Sequence, residues 1–161
     1  MSEFKKEILC VCTGNICRSP MAEFLLRARL GENSGFTVCS AGVAAYAGGM
    51  ASLQAIEALE EIGIDLNSFR SQPITSELVD SAGLIVVMTG SHKSEVLRRF
   101  PAASGKVFLI TAFGTGNESP DIADPIGSPV IVYRGIRDEL DSAISDLILD
   151  LKDKEYLENA G

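Results

Sequence analysis

A cysteine and an arginine frame a short segment whose residue types can do chemistry together. Residues 12–19 read CTGNICRS, with Cys12 at the start and Arg18 near the end. An apolar, strand-like run precedes this segment, and the pair Ser19-Pro20 is typical of a helix start with Ser as the N-cap. Backbone N–H groups at such a junction face one point, and the helix dipole adds positive potential. The segment therefore predicts a binding loop for phosphate or a similar anion.

The side chains of this loop add a nucleophile and a charge clamp. Gly14 and Asn15 are the residue types that best tolerate positive φ, so they let the chain curl into a cradle. Arg18 can close the cradle with a bidentate fork on two phosphate oxygens. The same positive surroundings favour the thiolate form of Cys12, which is the nucleophilic form. Ser19 can donate a hydrogen bond to that sulfur.

A plainer interpretation of Cys12 is a packing residue. A cysteine at the end of a strand before a glycine turn is common, and most buried cysteines are inert. Arg18 at the far end of the loop, followed by a helix start, favours the catalytic interpretation. We therefore predict that Cys12 attacks a phosphoryl group.

Attack on a phosphate ester also needs a proton donor for the leaving oxygen, which typically contributes about 10²–10⁴-fold in rate. Residues 119–128 form a second polar loop that contains Asp121 and the pair Asp124-Pro125. Asp-Pro pairs often do no more than begin a turn. The position of this loop after the last predicted strand favours Asp124 as the acid, with Pro125 restraining its backbone. Asp121 is the second choice.

No metal and no cofactor are expected. The four cysteines, Cys10, Cys12, Cys17 and Cys39, are expected to be thiols in a reducing cytoplasm. The single histidine, His92, lies far along the chain from them, so the pattern does not favour zinc. We expect His92 to be a surface residue at a helix start, without a role.

Composition excludes several classes of partner. The formal net charge is −8 and no Lys/Arg cluster stands out, so nucleic acid is not expected as a partner. No apolar run approaches the roughly 18 residues of a membrane span. The polar N-terminus, residues 1–7, lacks the features of a signal peptide, so we expect a cytoplasmic protein. The sequence carries no pattern that defines an oligomeric state.

Strand-like and helix-like segments alternate along the chain. Strands are predicted at residues 7–11, 36–39, 84–88 and 106–110, and helices at 19–31, 50–62, 91–100 and 130–151, separated by loops at 41–49 and 111–129. This alternation predicts an α/β fold, a single three-layer domain over residues 1–161 with a mostly parallel sheet of about four strands flanked by helices, as in flavodoxin-like proteins. In such folds ligands bind at the carboxyl ends of the strands. Both polar loops are expected at that edge.

The chain resembles the low-molecular-weight protein-tyrosine phosphatases over nearly its whole length. The resemblance rests on residues 12–20 with Met21-Ala22-Glu23, on Ser40-Ala41-Gly42, on the strand Leu84–Thr89 and on Asp124-Pro125. It implies a four-stranded parallel sheet flanked by helices. It further implies that the substrates are phosphorylated proteins. It also implies two-step hydrolysis through a phosphocysteine, without a metal.

The resemblance assigns roles to single residues. Cys12 matches the nucleophile, Arg18 the phosphate clamp, and Asp124 the general acid that later serves as base toward water. Ser19 matches the residue that stabilises the thiolate, and Ser40 matches the partner that supports Asn15. The other positions of the phosphate-binding loop are Thr13, Gly14, Ile16 and Cys17.

Cys17 matches a cysteine that can trap an oxidised Cys12 as a reversible disulfide, and the alternative is a packing thiol.

Two places depart from the family pattern. Many relatives have two aromatic residues after Asp-Pro, whereas this chain has Ile126-Gly127. Many also have a histidine that supports the loop asparagine, near the position of Ser68-Phe69-Arg70 here. Support of the loop is therefore expected to differ.

The substrate slot is expected to include Ile16, Tyr46 and Ile126. A branch of the family that removes phosphate from arginine is similar along the whole chain, for example at residues 71–78 and 137–140, but carries Thr at the position of Ile16. An apolar Ile suits a phenyl ring, and Tyr46 falls where tyrosine-directed relatives place an aromatic wall, worth about 1 kcal/mol. The alternatives are packing for Ile16 and an exposed loop residue for Tyr46. Phosphotyrosine is the favoured substrate, and phosphoarginine is the alternative.

Other functions fit less well. Arsenate reduction uses a similar loop but needs further cysteines, and residues 72–99 contain none. A phosphate-binding module without catalysis would not need Cys12, Arg18 and Asp124 together. A flavin-binding protein shares only the architecture, which does not define function.

Overall fold

The centre of the molecule is a four-stranded parallel sheet. The computed structural model describes residues 4–114, 116 and 119–157, so parts of the 111–129 loop and both ends of the expected 1–161 domain lie outside the described residues. The strands are β1 (Glu7–Cys12), β2 (Thr37–Gly42), β3 (Leu84–Val87) and β4 (Val107–Leu109), in the spatial order β2-β1-β3-β4. All neighbouring pairs are parallel. The predicted α/β fold with a parallel sheet is confirmed.

Among the described residues, five α-helices cover the two faces of this sheet. They are α1 (Arg18–Leu30), α2 (Leu53–Glu60), α3 (Ser76–Ser81), α4 (Gly90–Arg99) and α5 (Val130–Asp153). Buried side chains of α1, α2 and α5 share one core cluster, and those of α3 and α4 belong to a second. Alternate residues of β1 belong to opposite clusters, Ile8 and Cys10 to the first and Leu9 and Val11 to the second. This follows from the two-residue period of a strand and completes the three predicted layers.

The apolar runs that predict strands are buried because the central strands have helices on both faces. All four residues of β3 and the last five of β1 are buried. This is the burial pattern of parallel strands covered on both sides. The predicted stripe of α5 is also buried: Tyr133, Ile136, Leu140, Ile144, Leu147 and Leu151. None of the helices among the described residues is long and apolar enough to cross a membrane.

Some predicted boundaries are wrong for identifiable reasons. α1 begins at Arg18, and its N-cap is Cys17, which makes no side-chain capping bond. The prediction of Ser19 as N-cap is therefore wrong, because Ser19 lies inside the helix. β2 extends to Gly42 because its last residues pair with β1.

Two helices differ from the sequence pattern as well. α2 is shorter than predicted because Ser52 caps it by accepting a hydrogen bond from the Ala55 N–H. Helix α3 was not predicted, since six residues are too few to show a helical period. Its cap is Thr75, which accepts from the Leu78 N–H.

The two polar loops meet at the carboxyl edge of the sheet. The first loop follows β1 directly. The second is drawn in after β3, because the Ile122 N–H donates to the Met88 carbonyl at 2.9 Å. Parallel strands therefore deliver Cys12 and Asp124 to one edge.

The end of β2 approaches the first loop so closely that it requires glycine. A Cβ on Gly42 would overlap the carbonyl oxygen of Thr13 and would lie 2.7 Å from the Cβ of Ala45. We predict that Gly42→Ala lowers the free energy of unfolding by about 1–3 kcal/mol and also lowers turnover, because the loop must shift. Urea denaturation and an assay of the predicted phosphate-ester hydrolysis would measure the two effects.

Gly135→Ala is the matched control for Gly42→Ala. Gly135 lies within α5, and a Cβ there meets no atom within 4 Å. This variant should gain about 1 kcal/mol in stability through helix propensity and keep its turnover. If Gly42→Ala behaved in the same way, the close approach would not constrain the loop.

Candidate active site

The loop between β1 and α1 is held by the backbone that follows β2. The Val43 N–H donates to the carbonyl of Cys12 at 3.0 Å, and the Ala44 N–H donates to that of Thr13 at 2.9 Å. The Cys12 side chain is buried at the base of the loop, and α1 begins at the loop's far end. The structure therefore places Cys12 beneath a curved backbone segment that ends at a helix N-terminus, as an anion site requires.

A serine hydroxyl contacts the cysteine sulfur. The Sγ of Cys12 lies 2.9 Å from the Oγ of Ser19. Ser19 Oγ also accepts a hydrogen bond from Asn15 Nδ2 at 2.7 Å. Because an amide nitrogen only donates, the Ser19 proton remains free to point at the sulfur. A hydroxyl that donates to sulfur stabilises the thiolate.

Asn15 holds the curvature of the loop. Its φ is +57°, a conformation that Asn tolerates better than most residues. Gly14 is not among the glycines with positive φ, so Asn15 alone makes the left-handed turn expected of this pair. The Asn15 side chain is buried, donates to Ser40 Oγ at 3.0 Å and accepts from the Gln72 N–H at 2.9 Å.

Glu23 and Gln72 complete the support of the loop, and the sequence had assigned neither to this role. Ser40 Oγ donates to the Glu23 carboxylate at 2.7 Å, and Gln72 Nε2 donates to the Ser40 carbonyl at 3.0 Å. Burial raises the pKa of Glu23, while the bond from Ser40 and the charge of Arg27 act in the opposite direction. The signal in the sequence that could have indicated the role of Glu23 is the presence of a glutamate on the buried face of α1.

Many relatives carry a supporting histidine near the position of Ser68-Phe69-Arg70. In this chain the Arg70 side chain does not hydrogen-bond to Asn15. Arg70 instead donates to the carbonyls of Asn67 and Phe69. The support comes from the backbone at Gln72, a few residues further along the chain.

Arg18 lies buried across the loop with an unused donor. Its Nη1 donates to the Ile122 carbonyl at 2.9 Å, and its Nη2 lies 3.7 Å from the Asp124 carboxylate. Its Nε is buried and has no hydrogen-bond partner among the described residues. An unpaired buried donor costs about 1–3 kcal/mol. A bound anion would supply the missing acceptor.

The two aspartates of the second loop have different surroundings. Asp121 accepts a hydrogen bond from the Gly90 N–H at 2.9 Å, so its carboxylate holds the first residue of α4. Asp124 accepts from the Ile126 N–H at 3.1 Å, and its side chain is 47% exposed beside Arg18. Asp124 is therefore the carboxylate that a substrate at Arg18 can reach.

Cys17 is held by a buried tyrosine. Its Sγ lies 3.2 Å from the hydroxyl of Tyr133 and 3.6 Å from that of Ser52. Burial raises the pKa of Cys17 and raises that of Tyr133 to about 12. Cys17 is thus a packed thiol, and all four cysteines are free. A reversible bond between Cys12 and Cys17 stays a prediction.

The residues of the expected substrate slot are only partly defined by contacts. Ile16 is half-buried, packs on the core, and accepts a hydrogen bond through its carbonyl from the Ser52 N–H at 2.8 Å. Tyr46 is 89% exposed and Ile126 is 60% exposed. Both apolar side chains are available to a ligand, and their function as slot walls stays a prediction.

The prediction that His92 is a surface residue is wrong. His92 is only 5% exposed, and its Nε2 lies 2.8 Å from the hydroxyl of Thr13 in the loop. Burial lowers the pKa of His92 to about 4, and the charge of Arg18 acts in the same direction. The ring is therefore neutral at physiological pH. Its position in the first turn of a helix hid this contact, since only the tertiary fold brings Thr13 next to it.

The arrangement combines a thiol, an anion cradle, a buried cation and a reachable carboxylate. This set can transfer a phosphoryl group to sulfur and then to water. Within residues 4–114, 116 and 119–157, no group of three or more His, Cys, Asp or Glu side chains is placed to hold a metal ion.

Comparison with known sequences matches residues 7–157 to the family model described as low molecular weight phosphotyrosine protein phosphatase. The chain is 43% identical over 148 residues to a protein-arginine-phosphatase of Geobacillus stearothermophilus, covering 92% of this chain and 97% of that protein. It is 47% identical over 120 residues to a probable low molecular weight protein-tyrosine-phosphatase, EpsP, of Ralstonia nicotianae, covering 74% of this chain and 78% of that protein.

Solved structures give the same result. The YwlE arginine phosphatase of Geobacillus stearothermophilus superposes with a TM-score of 0.87 at 41% identity, covering 96% of this chain and 98% of that one. Wzb of Vibrio vulnificus, in complex with benzylphosphonate, has a TM-score of 0.83 at 34% identity, covering 91% of this chain and 99% of that one.

Two substitutions of Asn15 separate its conformation from its hydrogen bonds. Asn15→Gly and Asn15→Ala both remove the bonds to Ser19, Ser40 and Gln72, and both should lower turnover of an aryl phosphate. Only Ala retains a Cβ at the left-handed φ, so Asn15→Ala should be less stable than Asn15→Gly by about 1–2 kcal/mol. Urea denaturation measures the difference. Equal stability would show that the left-handed turn does not depend on this residue.

Proposed function

Because the chain belongs to the low molecular weight phosphotyrosine protein phosphatase family, we propose that its Cys12 thiolate hydrolyses phosphotyrosine in protein substrates. The family model covers residues 7–157, nearly the whole chain, and phosphoprotein phosphatase activity follows from that membership. The observation that carries the proposal for the site is the buried sulfur of Cys12. It lies 2.9 Å from the Ser19 hydroxyl, beneath a loop that Arg18 closes.

Substrate binding uses groups that are otherwise unpaired. The buried Arg18 Nε has no partner among the described residues and can donate to a phosphate oxygen. The Nη1 bond to Ile122 keeps the guanidinium in place while Nε binds. Backbone N–H groups of the loop and the start of α1 bind the other oxygens.

In the first chemical step, the Cys12 sulfur attacks phosphorus in line with the leaving oxygen. The S–P bond forms as the P–O bond to the substrate breaks. Asp124, in its acid form, gives its proton to the leaving oxygen. The position of Asp124 beside Arg18, with its side chain 47% exposed, supports this role.

In the second step, water attacks the phosphocysteine. Asp124, now a carboxylate, takes a proton from the water as the water oxygen bonds to phosphorus. The S–P bond breaks, and the electron pair stays on sulfur, where the Ser19 hydroxyl stabilises it. The products are inorganic phosphate and the free thiolate, and no external reductant or oxidant is needed.

The choice of phosphotyrosine rests on Ile16. This side chain is apolar, lies at the loop between Cys12 and Arg18, and is half-buried. An aromatic leaving group can pack on it, whereas it offers no hydrogen bond to a guanidinium. Tyr46 and Ile126 are exposed apolar side chains that can extend the same surface.

Phosphoarginine is the second candidate substrate. Two similar proteins, from Geobacillus stearothermophilus and Bacillus subtilis, are named protein-arginine-phosphatases and are 43% and 42% identical to this chain. Both share the length of this chain almost entirely. The cradle, the nucleophile and the clamp serve either substrate. The preference for one substrate over the other therefore depends on the residues at the rim of the loop.

A reducing, cytoplasmic setting is part of the proposal. The mechanism requires Cys12 as a free thiol, and all four cysteines of the chain are free. Such thiols persist in the cytoplasm and not in oxidising compartments.

Asp124→Asn tests the acid. Without a proton donor, substrates with a poor leaving group should lose about 10²-fold or more in kcat/KM, which reports the first chemical step, and an activated aryl phosphate such as p-nitrophenyl phosphate should lose much less. The matched control is Asp121→Asn, which keeps an oxygen for the Gly90 N–H and should turn over both substrates normally. Equal losses of Asp124→Asn on both substrates would rule out an acid role.

Substrate choice is tested by measuring kcat/KM on a phosphotyrosine peptide and on a phosphoarginine peptide without added metal. We expect the wild-type chain to prefer phosphotyrosine. Ile16→Thr should shift the ratio toward phosphoarginine by about tenfold, the value of one hydrogen bond. A preference of the wild type for phosphoarginine would retain the thiolate mechanism and reject the assignment of Ile16.

Ile16→Val is the control, because Val has nearly the shape of Thr and lacks the hydroxyl. If Val and Thr shifted the ratio equally, size and not hydrogen bonding would decide the substrate. Cys12→Ser should abolish turnover of both peptides.

A further inference from the structure

The first turn of α4 contacts both loops of the active site. Its N-cap, Thr89, accepts a hydrogen bond from the His92 N–H at 3.1 Å, which fixes the turn. The Gly90 N–H binds Asp121 in the second loop at 2.9 Å. The His92 ring binds the Thr13 hydroxyl in the first loop at 2.8 Å. One helical turn thus connects the loop of the nucleophile with the loop of the proposed acid.

Thr13 is the residue next to the nucleophile, and it is held from two sides. The chain after β2 binds its carbonyl through the Ala44 N–H. The chain after β3 binds its side chain through His92. Because β1 lies between β2 and β3 in the sheet, these two hydrogen bonds reach the loop from the segments that follow both neighbouring strands.

We propose that His92 is a positioning residue for phosphoryl transfer. It holds Thr13 by a hydrogen bond and so keeps Cys12 in position relative to the second loop. It needs no contact with the substrate. This inference rests on the proposed phosphatase function of Cys12.

A neutral imidazole suits this place. The charged groups that face His92 are Arg18 from α1 and the two carboxylates of the second loop, Asp121 and Asp124. A cationic side chain would repel the Arg18 guanidinium that the substrate needs, whereas a neutral ring does not. The pKa of His92, lowered to about 4 by burial, keeps the ring in that form.

The hydrogen bond to Thr13 involves one particular nitrogen of the ring. His92 Nε2 makes it, and Nδ1 is buried without a partner among the described residues. A glutamine side chain places its amide near the position of Nε2, while an asparagine side chain places it near that of Nδ1. His92→Gln can therefore keep the tie to Thr13, and His92→Asn cannot.

The test measures kcat and KM of the full chain on p-nitrophenyl phosphate. This substrate reports on the thiolate chemistry and is independent of the choice between phosphotyrosine and phosphoarginine. His92→Asn should lower kcat by about tenfold with little change in KM, and His92→Gln should recover most of the loss. Failure of the wild type to turn over the substrate would contradict the proposed function itself.

A double-mutant cycle with Thr13→Val separates positioning from general destabilisation. If His92 acts through Thr13, adding His92→Asn to Thr13→Val should lower kcat only slightly further. Urea denaturation of each variant records stability separately.

Two outcomes would overturn the proposal. In one, the losses from His92→Asn and Thr13→Val multiply, which shows independent effects. In the other, His92→Gln and His92→Asn lose equal activity, which shows that the hydrogen bond to Thr13 has no part in turnover.

Discussion

The left-handed turn at Asn15 is the constraint on which the site depends. A loop can point its N–H groups at one anion only if the chain reverses tightly, and here one non-glycine residue with φ of +57° makes that reversal. Such a conformation persists when surrounding contacts over-determine it. Asn15 has these contacts: its amide nitrogen donates to Ser19 and Ser40, and its oxygen accepts from Gln72. The same amide that stabilises the turn leaves the Ser19 proton for Cys12.

The parallel sheet supplies the partners of this turn. In the register of β1 with β2, Cys10 lies opposite Ser40 and Cys12 opposite Gly42. Ser40 therefore stands beside the loop that begins two residues further along β1. The absence of a side chain at Gly42 leaves room for the Thr13 carbonyl. On the other side of β1, the chain after β3 provides His92 and the anchor at Met88 for the second loop.

The site holds a local positive charge although the protein as a whole is acidic. The chain has a net charge of −8, yet the guanidinium of Arg18 is buried at the loop, and its Nε has no hydrogen-bond partner among the described residues. The buried carboxylate beside the loop, Glu23, is paired with Arg27 at 2.7 Å and with Ser40. Glu23 therefore does not compete for the charge of Arg18, which lies 3.7 Å from the carboxylate of the half-exposed Asp124.

Features that depend on neighbours along the chain could be predicted from the residues alone. Apolar runs and helical periods predicted the four strands, most helices and the order of layers, because these patterns reflect local burial. The loop from Cys12 to Ser19 at the end of a strand was also predictable, since residue type and position indicate it. The choice of Asp124 over Asp121 as the acid stays a prediction.

The residues that support the loop could not be predicted in this way, because they are distant from it along the chain. Gln72 and His92 lie 57 and 79 positions from the loop residues they bind, and Tyr133 lies 116 positions from Cys17. No local pattern encodes such pairs, and a histidine in the first turn of a helix has the same sequence context whether it is buried or exposed. Ser19 was misplaced as a helix cap for the same reason, because its hydroxyl binds Cys12 and Asn15 and not the helix backbone. Contacts between distant segments form only when the sheet brings its strand ends together.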